Sequence, residues 1–324
     1  MSKPLLKSEK EVLLAQFESE KAVLKAMDAH YQAALRSINK RIAELLGRND
    51  ANLPHVIRRI EYQRIIEQQV KAVLDMLHAK EYETISEFIN DAYRDAFVGA
   101  VYTQHRQGMP VIVAIDQNAV VKAVTIDSKL KTSLYEALGV DVKKLKKTIT
   151  NEITRGIASG MLYDDIVRNI SNVSKAPLER ARTIVRTEAG RVQEQATMDE
   201  AFKAKDAGAD VVKQWSAVRD GKTRKSHRKL DGQIRELDEP FEVNGHTAMH
   251  PHDFGIARED INCRCTMLTR ARAAMDKDEL KRLRENAVRH SLYVDDPKAF
   301  RADKLPELKS FSEFKKAYLK AVEQ

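Results

Sequence analysis

Two cysteines separated by a single residue, Cys263 and Cys265, have the clearest chemical potential in this sequence. Residues two apart on an extended strand project from the same face, so both thiols are predicted to point the same way. Zinc takes four nitrogen or sulfur ligands at tetrahedral positions, and a Cys-x-Cys pair can supply two of them. His227 is predicted as the third ligand, brought close by a turn at Asp231 and Gly232. The candidates for the fourth ligand are His250, His252, His246 and Asp231.

The same residues allow an alternative without metal. Cys263 and Cys265 would then be reduced, buried, small apolar side chains, while a hydrogen bond from His227 holds the turn. A disulfide between them is disfavoured, because alternate strand residues sit near or beyond the Cα separation that a disulfide bridges. Both interpretations stay open at the level of sequence.

Common catalytic signatures do not occur in the sequence: it has no Gly-rich phosphate loop, no GxSxG and no HExxH. No catalytic residue and no small-molecule substrate are therefore predicted. One enzymatic alternative remains, a metal-dependent nuclease of the His-Asn-His kind, for which His227, Asn244 and His250 give the order of residue types. That activity needs a strand-strand-helix context and a histidine that polarises water beside a metal.

The composition favours long helices and disfavours an all-β or disordered chain. Of the 324 residues, 43% are hydrophobic, 32% are charged and only 6% are aromatic, with 12 glycines and 8 prolines. The net charge of +8 suits an anionic partner such as double-stranded DNA, bound without sequence specificity. With two cysteines, no apolar N-terminal segment and no apolar run near about 20 residues, we expect a soluble protein made in a reducing cytoplasm.

The fold class predicted is mainly α, with long N-terminal helices in a hairpin or bundle, a small α+β module and a C-terminal helical tail. The predicted domains are 1–110 (helical hairpin), 111–207 (helical), 208–270 (α+β module) and 271–324 (basic tail). The first helix carries an apolar stripe with spacings of three and four: Leu24, Met27, Tyr31, Leu35, Ile38, Ile42 and Leu45. That stripe fits either a coiled coil that docks a partner or an antiparallel pair that buries its own seam.

Further stretches have a local interpretation. The run VIVAI after Pro110 fits a single strand or an extended connection, and GRND with Pro54 predicts a turn. Beyond Arg270 the chain is predicted to be helical again, and the stretch 270–289 is rich in Lys and Arg. Arg186 and Glu188 are two apart on a predicted helix, so they cannot pair with each other, and a salt bridge to a neighbouring helix is expected.

A series of separated motifs resembles the phage Mu F-like family of minor head, or head-morphogenesis, proteins. The motifs are RTEAGR at 186–191, Trp215, DGKTRKSHRKLDG at 220–232 and NCRC at 262–265, within a matched region of about 146–269. The residues that the resemblance marks as structural are Arg186, Glu188, Trp215, Asp220, Asp231, Gly232, Asn262 and Arg264.

The resemblance implies a virion component near the portal vertex, assembled in the host cytoplasm, with the portal and other head proteins as partners and, in some members, contact with DNA. Many members carry two cysteines three residues apart where this chain has Arg224 and His227. Only His227 of that pair can bind a metal. The four-ligand pattern by which the resemblance implies a structural zinc is therefore incomplete in this chain.

Overall fold

The computed structural model describes residues 5–46, 55–109, 113–125, 134–159, 161, 163–277, 280 and 310–322. Most of the described chain is helical, as predicted. The helices are α1 (Lys7–Leu46), α2 (His55–Arg106), α3 (Gln117–Thr125), α4 (Leu134–Ala158), α5 (Tyr163–Val173), α6 (Lys175–Asp206), α7 (Lys225–Leu230), α8 (Ala257–Asp260) and α9 (Phe311–Val322). The strands are β1 (Val211–Ser216), β2 (Ile234–Arg235), β3 (Phe241–Val243), β4 (His246–Ala248) and β5 (Thr266–Ala271).

The chain divides into two compact units, each built from separate stretches of sequence. The first unit contains 1–19, 88–131 and 186–324, and the second contains 20–87 and 132–185. These units follow spatial contact, whereas the domains predicted from sequence follow changes in composition, and those domains stay a prediction.

The second unit buries the apolar stripe of α1. Tyr31, Leu35, Ile38 and Ile42 form one core with residues of α2, α4 and α5, among them Leu74. An amphipathic helix gains most of its stability from burying such a face against neighbouring helices. The antiparallel alternative for the stripe is therefore confirmed, because the seam is occupied by the protein's own side chains.

The first unit contains the α+β module. Strands β2, β1 and β5 form an antiparallel sheet in that order, with Val211 opposite Ala271 and Ser216 opposite Thr266. Val and Trp residues favour the central strand β1, which is buried on both faces up to Trp215. β3 and β4 form a separate hairpin, and a turn separates β2 from β3.

The C-terminal helix α9 packs within the first unit. The Phe311 and Phe314 rings lie 5.6 and 5.3 Å from the Tyr102 ring. The backbone amide of Glu313 donates to the Ser310 hydroxyl at 3.4 Å, which is one of the two hydrogen bonds of a capping box at the start of α9.

The strand β5 runs one residue past the predicted end of the α+β module, to Ala271. Arg270 lies in β5, is buried, and pairs with the carboxylate of Glu9. Arg272 follows the strand and pairs with Asp210 and Glu236. The strand continues because residues 266–271 pair with β1 across their whole length. The remaining basic residues of the stretch 270–289, apart from Lys277, lie outside the described residues.

Other local predictions fall partly outside the described residues, namely the turn at GRND and Pro54 and the start of the VIVAI run. The part of VIVAI that the structure describes, Val113 to Ile115, has no regular secondary structure. Among the helices described here, none combines the length and the apolar character needed to cross a membrane.

Candidate metal centre

His227, Cys263 and Cys265 meet inside the α+β module, as predicted. One potential ligand atom from each residue lies within 4.8 Å of the other two, and all three side chains are buried. The Nδ1 atom of His227 is 3.2 Å from Sγ of Cys265 and 3.5 Å from Sγ of Cys263. Both cysteines are free thiols. We call these residues the His–Cys cluster.

The cysteines do not lie on the strand that the sequence predicts. They occupy an extended segment immediately before β5, and the left-handed Asn262 (φ 54°) precedes them. The amide of Cys263 donates to the carbonyl of Asp260 at 3.1 Å, which ends the turn after α8. The amide of Cys265 donates to Sγ of Cys263 at 3.4 Å. The two thiols therefore lie on the same side of the segment because of a local turn and not because of strand pleating.

A turn after α7 positions His227 against the sheet. Asp231 accepts from the amide of Ala217 and from Arg219, and Gly232 adopts φ 81° and donates to the carbonyl of Trp215 at 2.8 Å. Only glycine takes this left-handed conformation without strain. The Trp215 ring then meets the His227 ring edge-on, with centroids 5.7 Å apart.

The second nitrogen of His227 is held by a buried carboxylate. Nε2 lies 3.1 Å from Oε2 of Glu259, which also accepts from the Ser226 hydroxyl at 2.8 Å. Histidines that bind a metal usually donate their other ring N–H to such a group, which fixes the tautomer with a free lone pair on the ligating nitrogen. Glu259 was not predicted, because sequence spacing does not reveal that α8 packs beside α7.

The two thiols are electrostatically unequal. A hydrogen bond from the Cys265 thiol, followed by the interaction with His227, lowers the pKa of Cys263 well below its ordinary value. The same hydrogen bond to Cys263, together with burial, raises the pKa of Cys265. Cys263 is therefore the cysteine that more readily becomes a thiolate. Zinc binds thiolates rather than thiols, so Cys263 is the better prepared ligand of the two.

Of the four candidates for the fourth ligand, His252 is the one that lies beside the His–Cys cluster. It is buried and adopts a left-handed backbone conformation (φ 66°). Burial lowers its pKa, and the charges of Cys263 and His227 also act on it. Its Nδ1 atom has no hydrogen-bond partner among the described residues. An orphaned buried nitrogen is costly in a low-dielectric interior, so it points to a missing partner.

A glycine of α6 makes room for His252. A Cβ atom built on Gly190 would lie 2.5 Å from Nε2 of His252 and 2.7 Å from its Cε1. Real Cβ contacts are essentially never below 3.0 Å, so only glycine admits the ring here. A glycine in mid-helix costs about 1 kcal/mol relative to alanine. The presence of Gly190 within the helical motif RTEAGR is therefore the feature of the sequence that could have indicated a close contact at this position.

The other three candidates for the fourth ligand are engaged elsewhere or face solvent. Both ring nitrogens of His250 have partners, the Pro251 carbonyl at 2.7 Å and Gln195 at 3.1 Å. His246 is exposed on β4. The carboxylate of Asp231 is used in the turn after α7.

The remaining motif residues connect α6 and the turn before α7 to the rest of the module. The amide of Asn262 donates to the Thr187 hydroxyl at 3.2 Å, and both nitrogens at the tip of Arg264 reach the carboxylate of Asp220. Glu188 pairs with Arg191 of the same helix at 3.0 Å, so the expected partner on a neighbouring helix is wrong for this residue. The i to i+3 spacing explains the choice, because such residues share a face.

The residues of the nuclease alternative have separate surroundings. Asn244 is exposed at the β3–β4 turn with φ 52°, whereas His227 and His250 are buried. The helix that follows the hairpin, α8, has four residues. The nuclease alternative therefore stays a prediction without support from this geometry.

These features define a helical protein with a small α+β module around a buried His–Cys cluster. Residues 147–268 match the family model described as phage Mu protein F like protein. The matched segment begins and ends within a residue of the predicted region, 146–269, and contains every motif of the resemblance. This segment of the chain is therefore similar to the phage Mu F-like family.

Curated relatives carry different names. A protein of Bacillus phage SPP1 named minor head protein GP7 is 29% identical over 259 residues, which cover 78% of this chain and 82% of the relative. A protein of Enterococcus faecalis named NAD(+)–arginine ADP-ribosyltransferase EFV is 31% identical over 245 residues, which cover 74% of this chain and 49% of the relative. The uncharacterized protein YqbB of Bacillus subtilis is 27% identical over 124 residues, 37% of this chain and 40% of that relative. The chain thus spans about half of the enterococcal relative, and no solved structure matches it significantly.

Proposed function

We propose that this chain is a structural minor head protein of a tailed bacteriophage, located at the portal vertex of the virion and required for head morphogenesis. The observation that carries the proposal is the alignment with the SPP1 minor head protein, which covers most of both chains. Its partners would be the portal and other head proteins.

The first unit offers a surface for such a partner. The apolar stripe of α1 is buried within the second unit, so docking needs side chains outside that stripe. Leu14 and Phe17 lie one turn apart on α1 and are 63% and 58% exposed. Exposed apolar side chains grouped on one face are typical of a protein contact.

Quantitative mass spectrometry of purified heads tests the role. We expect the chain at low copy number in heads from cells that carry its gene, and a lower number for Leu14→Asp/Phe17→Asp. Ala15→Asp, at an exposed neighbour on the same helix, is the matched control and keeps the wild-type number. Heads that assemble normally without the chain, or never contain it, contradict the proposal.

Enzymatic activity is not part of the proposed role. The alignment covers 49% of the enterococcal ADP-ribosyltransferase, so half of that relative lies outside the shared region. We expect no transfer of label from NAD⁺ to arginine substrates and no cleavage of plasmid with Mg²⁺. Metal-dependent cleavage that is lost in His227→Ala would establish the nuclease alternative instead.

We further propose that the His–Cys cluster holds a structural zinc ion. His227, Cys263 and Cys265 supply three ligands, and His252 supplies the fourth through its orphaned Nδ1 atom after a movement of its ring toward the cluster. When bound, zinc would cross-link the segment before β5, α7 and the loop after β4. Three donors of the required chemical type, a buried carboxylate behind one of them and a glycine cradle for the fourth support this assignment.

Elemental analysis of the protein, purified without a His-tag, tests the zinc proposal. One equivalent of zinc is expected, with a lower melting temperature after chelation, because structural zinc contributes directly to folding free energy. Cys263→Ser should lose the ion, while His246→Ala, at the exposed histidine, should keep it. Less than about half an equivalent, with unchanged melting after chelation, favours the metal-free alternative of reduced thiols.

A further inference from the structure

A pocket of about 380 Å³, part of it open to solvent, lies between α1, α2, α6 and β5 in the first unit. Helix α2 lines it with Ala96, Gly99 and Ala100, small residues that leave the space open. The lining residues that are partly exposed, among them Leu13 and Gln16 of α1, form its mouth. No residue of the His–Cys cluster lines this pocket.

One wall of the pocket is the outer edge of a β-sheet, because β5 pairs with β1 on one side only. The N–H of Trp215 donates to the carbonyl of Gln233, so the odd-numbered residues of β1 turn toward β2. In an antiparallel ladder the residues opposite them, 267, 269 and 271 of β5, direct their N–H and C=O groups away from β1. These backbone groups need partners from outside the sheet.

Side chains from α6 and from the end of α2 satisfy most of this edge. Glu194 accepts from the amide of Met267 at 2.6 Å. The Gln107 carboxamide donates to the carbonyl of Thr269 at 3.0 Å and accepts from the amide of Ala271 at 3.0 Å. One carboxamide thus bridges the C=O of one outward-facing residue and the N–H of the next, in the manner of a peptide group of an added strand.

The preceding pair of the same kind lies on the pocket wall without such a partner. Among the described residues, no group pairs with the N–H of Thr269, and the C=O of Met267 has only a 3.5 Å contact with the Thr266 hydroxyl. The hydroxyl oxygen of Thr269 also has no partner in this part of the chain, although the residue is only 3% exposed. Unpaired buried polar groups are costly, so three of them along one wall indicate a missing ligand.

We propose that the pocket binds the carboxamide of an Asn or Gln side chain from another phage head protein. The carboxamide nitrogen donates to the C=O of Met267, and its oxygen accepts from the N–H of Thr269, in the arrangement that Gln107 shows one pair further along β5. Because Glu194 and Gln107 already use the backbone groups on either side, a whole strand cannot pair here, whereas one carboxamide can. Val12 and the small residues of α2 contact the aliphatic stem of the ligand.

The identity of the partner rests on the proposed head role. Leu13 and Gln16, at the mouth of the pocket, lie on α1 beside the exposed Leu14 and Phe17. A partner that covers those apolar side chains reaches the pocket with a side chain near the centre of the contact. An anchor in a pocket, surrounded by contacts that exclude water, is the usual arrangement at the centre of a protein interface.

Nuclear magnetic resonance of the full chain tests the pocket with propionamide, a neutral primary amide. The resonance of the Thr269 amide proton should shift downfield and saturably, with a dissociation constant in the millimolar range because so few atoms contribute. Thr269→Val should weaken binding about twofold to tenfold, the worth of one hydrogen bond. Thr197→Val is the matched control and should leave binding unchanged, because this hydroxyl of the same pocket already donates to the Gln193 carbonyl at 3.0 Å.

A second probe separates amide recognition from the filling of an apolar hole. Butanone has the shape of propionamide but no N–H donor for the Met267 carbonyl, so it should bind several-fold more weakly. Equal binding of the two probes, or no shift of the Thr269 amide with propionamide, overturns the proposal. If Gln16→Ala shifts that resonance upfield before any probe is added, the chain's own Gln16 fills the pocket, and the proposal is also overturned.

Competition for incorporation separates this proposal from the head role itself. When wild type and Thr269→Val are produced together in equal amounts, heads should contain at least about twofold less of the variant, whereas Thr197→Val should equal the wild type. The melting temperature of each variant is measured, so that a failure to fold is not mistaken for a loss of binding. Heads that take up Thr269→Val as well as the wild type overturn the partner proposed here and leave the head role intact. Absence of the wild-type chain from heads contradicts the head role and this partner together, while the propionamide titration still decides whether the site exists.

Discussion

Substitution of Gly190 by alanine tests the packing of the metal centre through the sign of its effect. On an ordinary helix this change stabilises, by up to about 1 kcal/mol, because alanine has the higher helix propensity. Here the new Cβ would lie 2.5 Å from Nε2 of His252, whereas ordinary contact begins at 3.4 Å. The buried ring must therefore move by about 1 Å, and overpacking of this kind costs about 1–3 kcal/mol.

We expect Gly190→Ala to destabilise the module by up to about 2 kcal/mol after the gain in propensity is subtracted. In a His252→Ala background the obstacle is gone, so the same substitution should stabilise by up to about 1 kcal/mol. This reversal of sign is a coupling of about 1–3 kcal/mol between the two positions, and a double-mutant cycle measures it directly.

The assay is urea unfolding in the presence of chelator, followed by fluorescence of Trp215. This residue is the only tryptophan of the chain and is fully buried in the module, so its signal reports that region alone. The chelator keeps zinc binding out of the steric comparison. Stabilisation by Gly190→Ala in the wild-type background would refute the reasoning, because His252 could not then occupy the space above the glycine.

Three further predictions concern buried charges. Burial lowers the pKa of Lys213 from 10.5 to about 7, so the unfolded chain binds more protons than the folded one between these pH values. The free energy of unfolding should therefore rise with pH in this range, by at most about 1.4 kcal/mol per pH unit. In urea unfolding, Lys213→Met should remove that rise, and Lys229→Met, at an exposed lysine, should keep it. Burial, and then the charge of Asp28, raises the pKa of Glu81 to about 8. The protonation of Glu81 therefore favours folding below about pH 4.5, and this stabilisation is lost as the pH rises toward 8. Glu81→Gln should flatten the loss, and a pH profile of stability that does not change in this variant would contradict the prediction. Glu9→Ala should cost about 3–5 kcal/mol because it leaves Arg270 buried without its carboxylate, and calorimetry should show a smaller loss when Arg270→Met is added.

The sequence by itself determined the features that repeat or lie close together along the chain. Apolar spacings of three and four predict the stripe from Leu24 to Ile42, and helical periodicity makes that stripe one face before any contact is known. The Cys-x-Cys pair likewise brings two thiols together within one short segment, whereas their contact with His227, 36 and 38 residues away, depends on how α7 packs against that segment.

Only the tertiary structure decided which distant side chains complete the site. His246, His250 and His252 are equivalent in sequence, and the burial of His252, its orphaned nitrogen and the Gly190 cradle distinguish it from the others. Glu259 reaches His227 across 32 residues, and Arg270 pairs with Glu9 across 261. A residue's partner over such separations is set by how elements pack, and packing depends on the whole chain rather than on any local pattern.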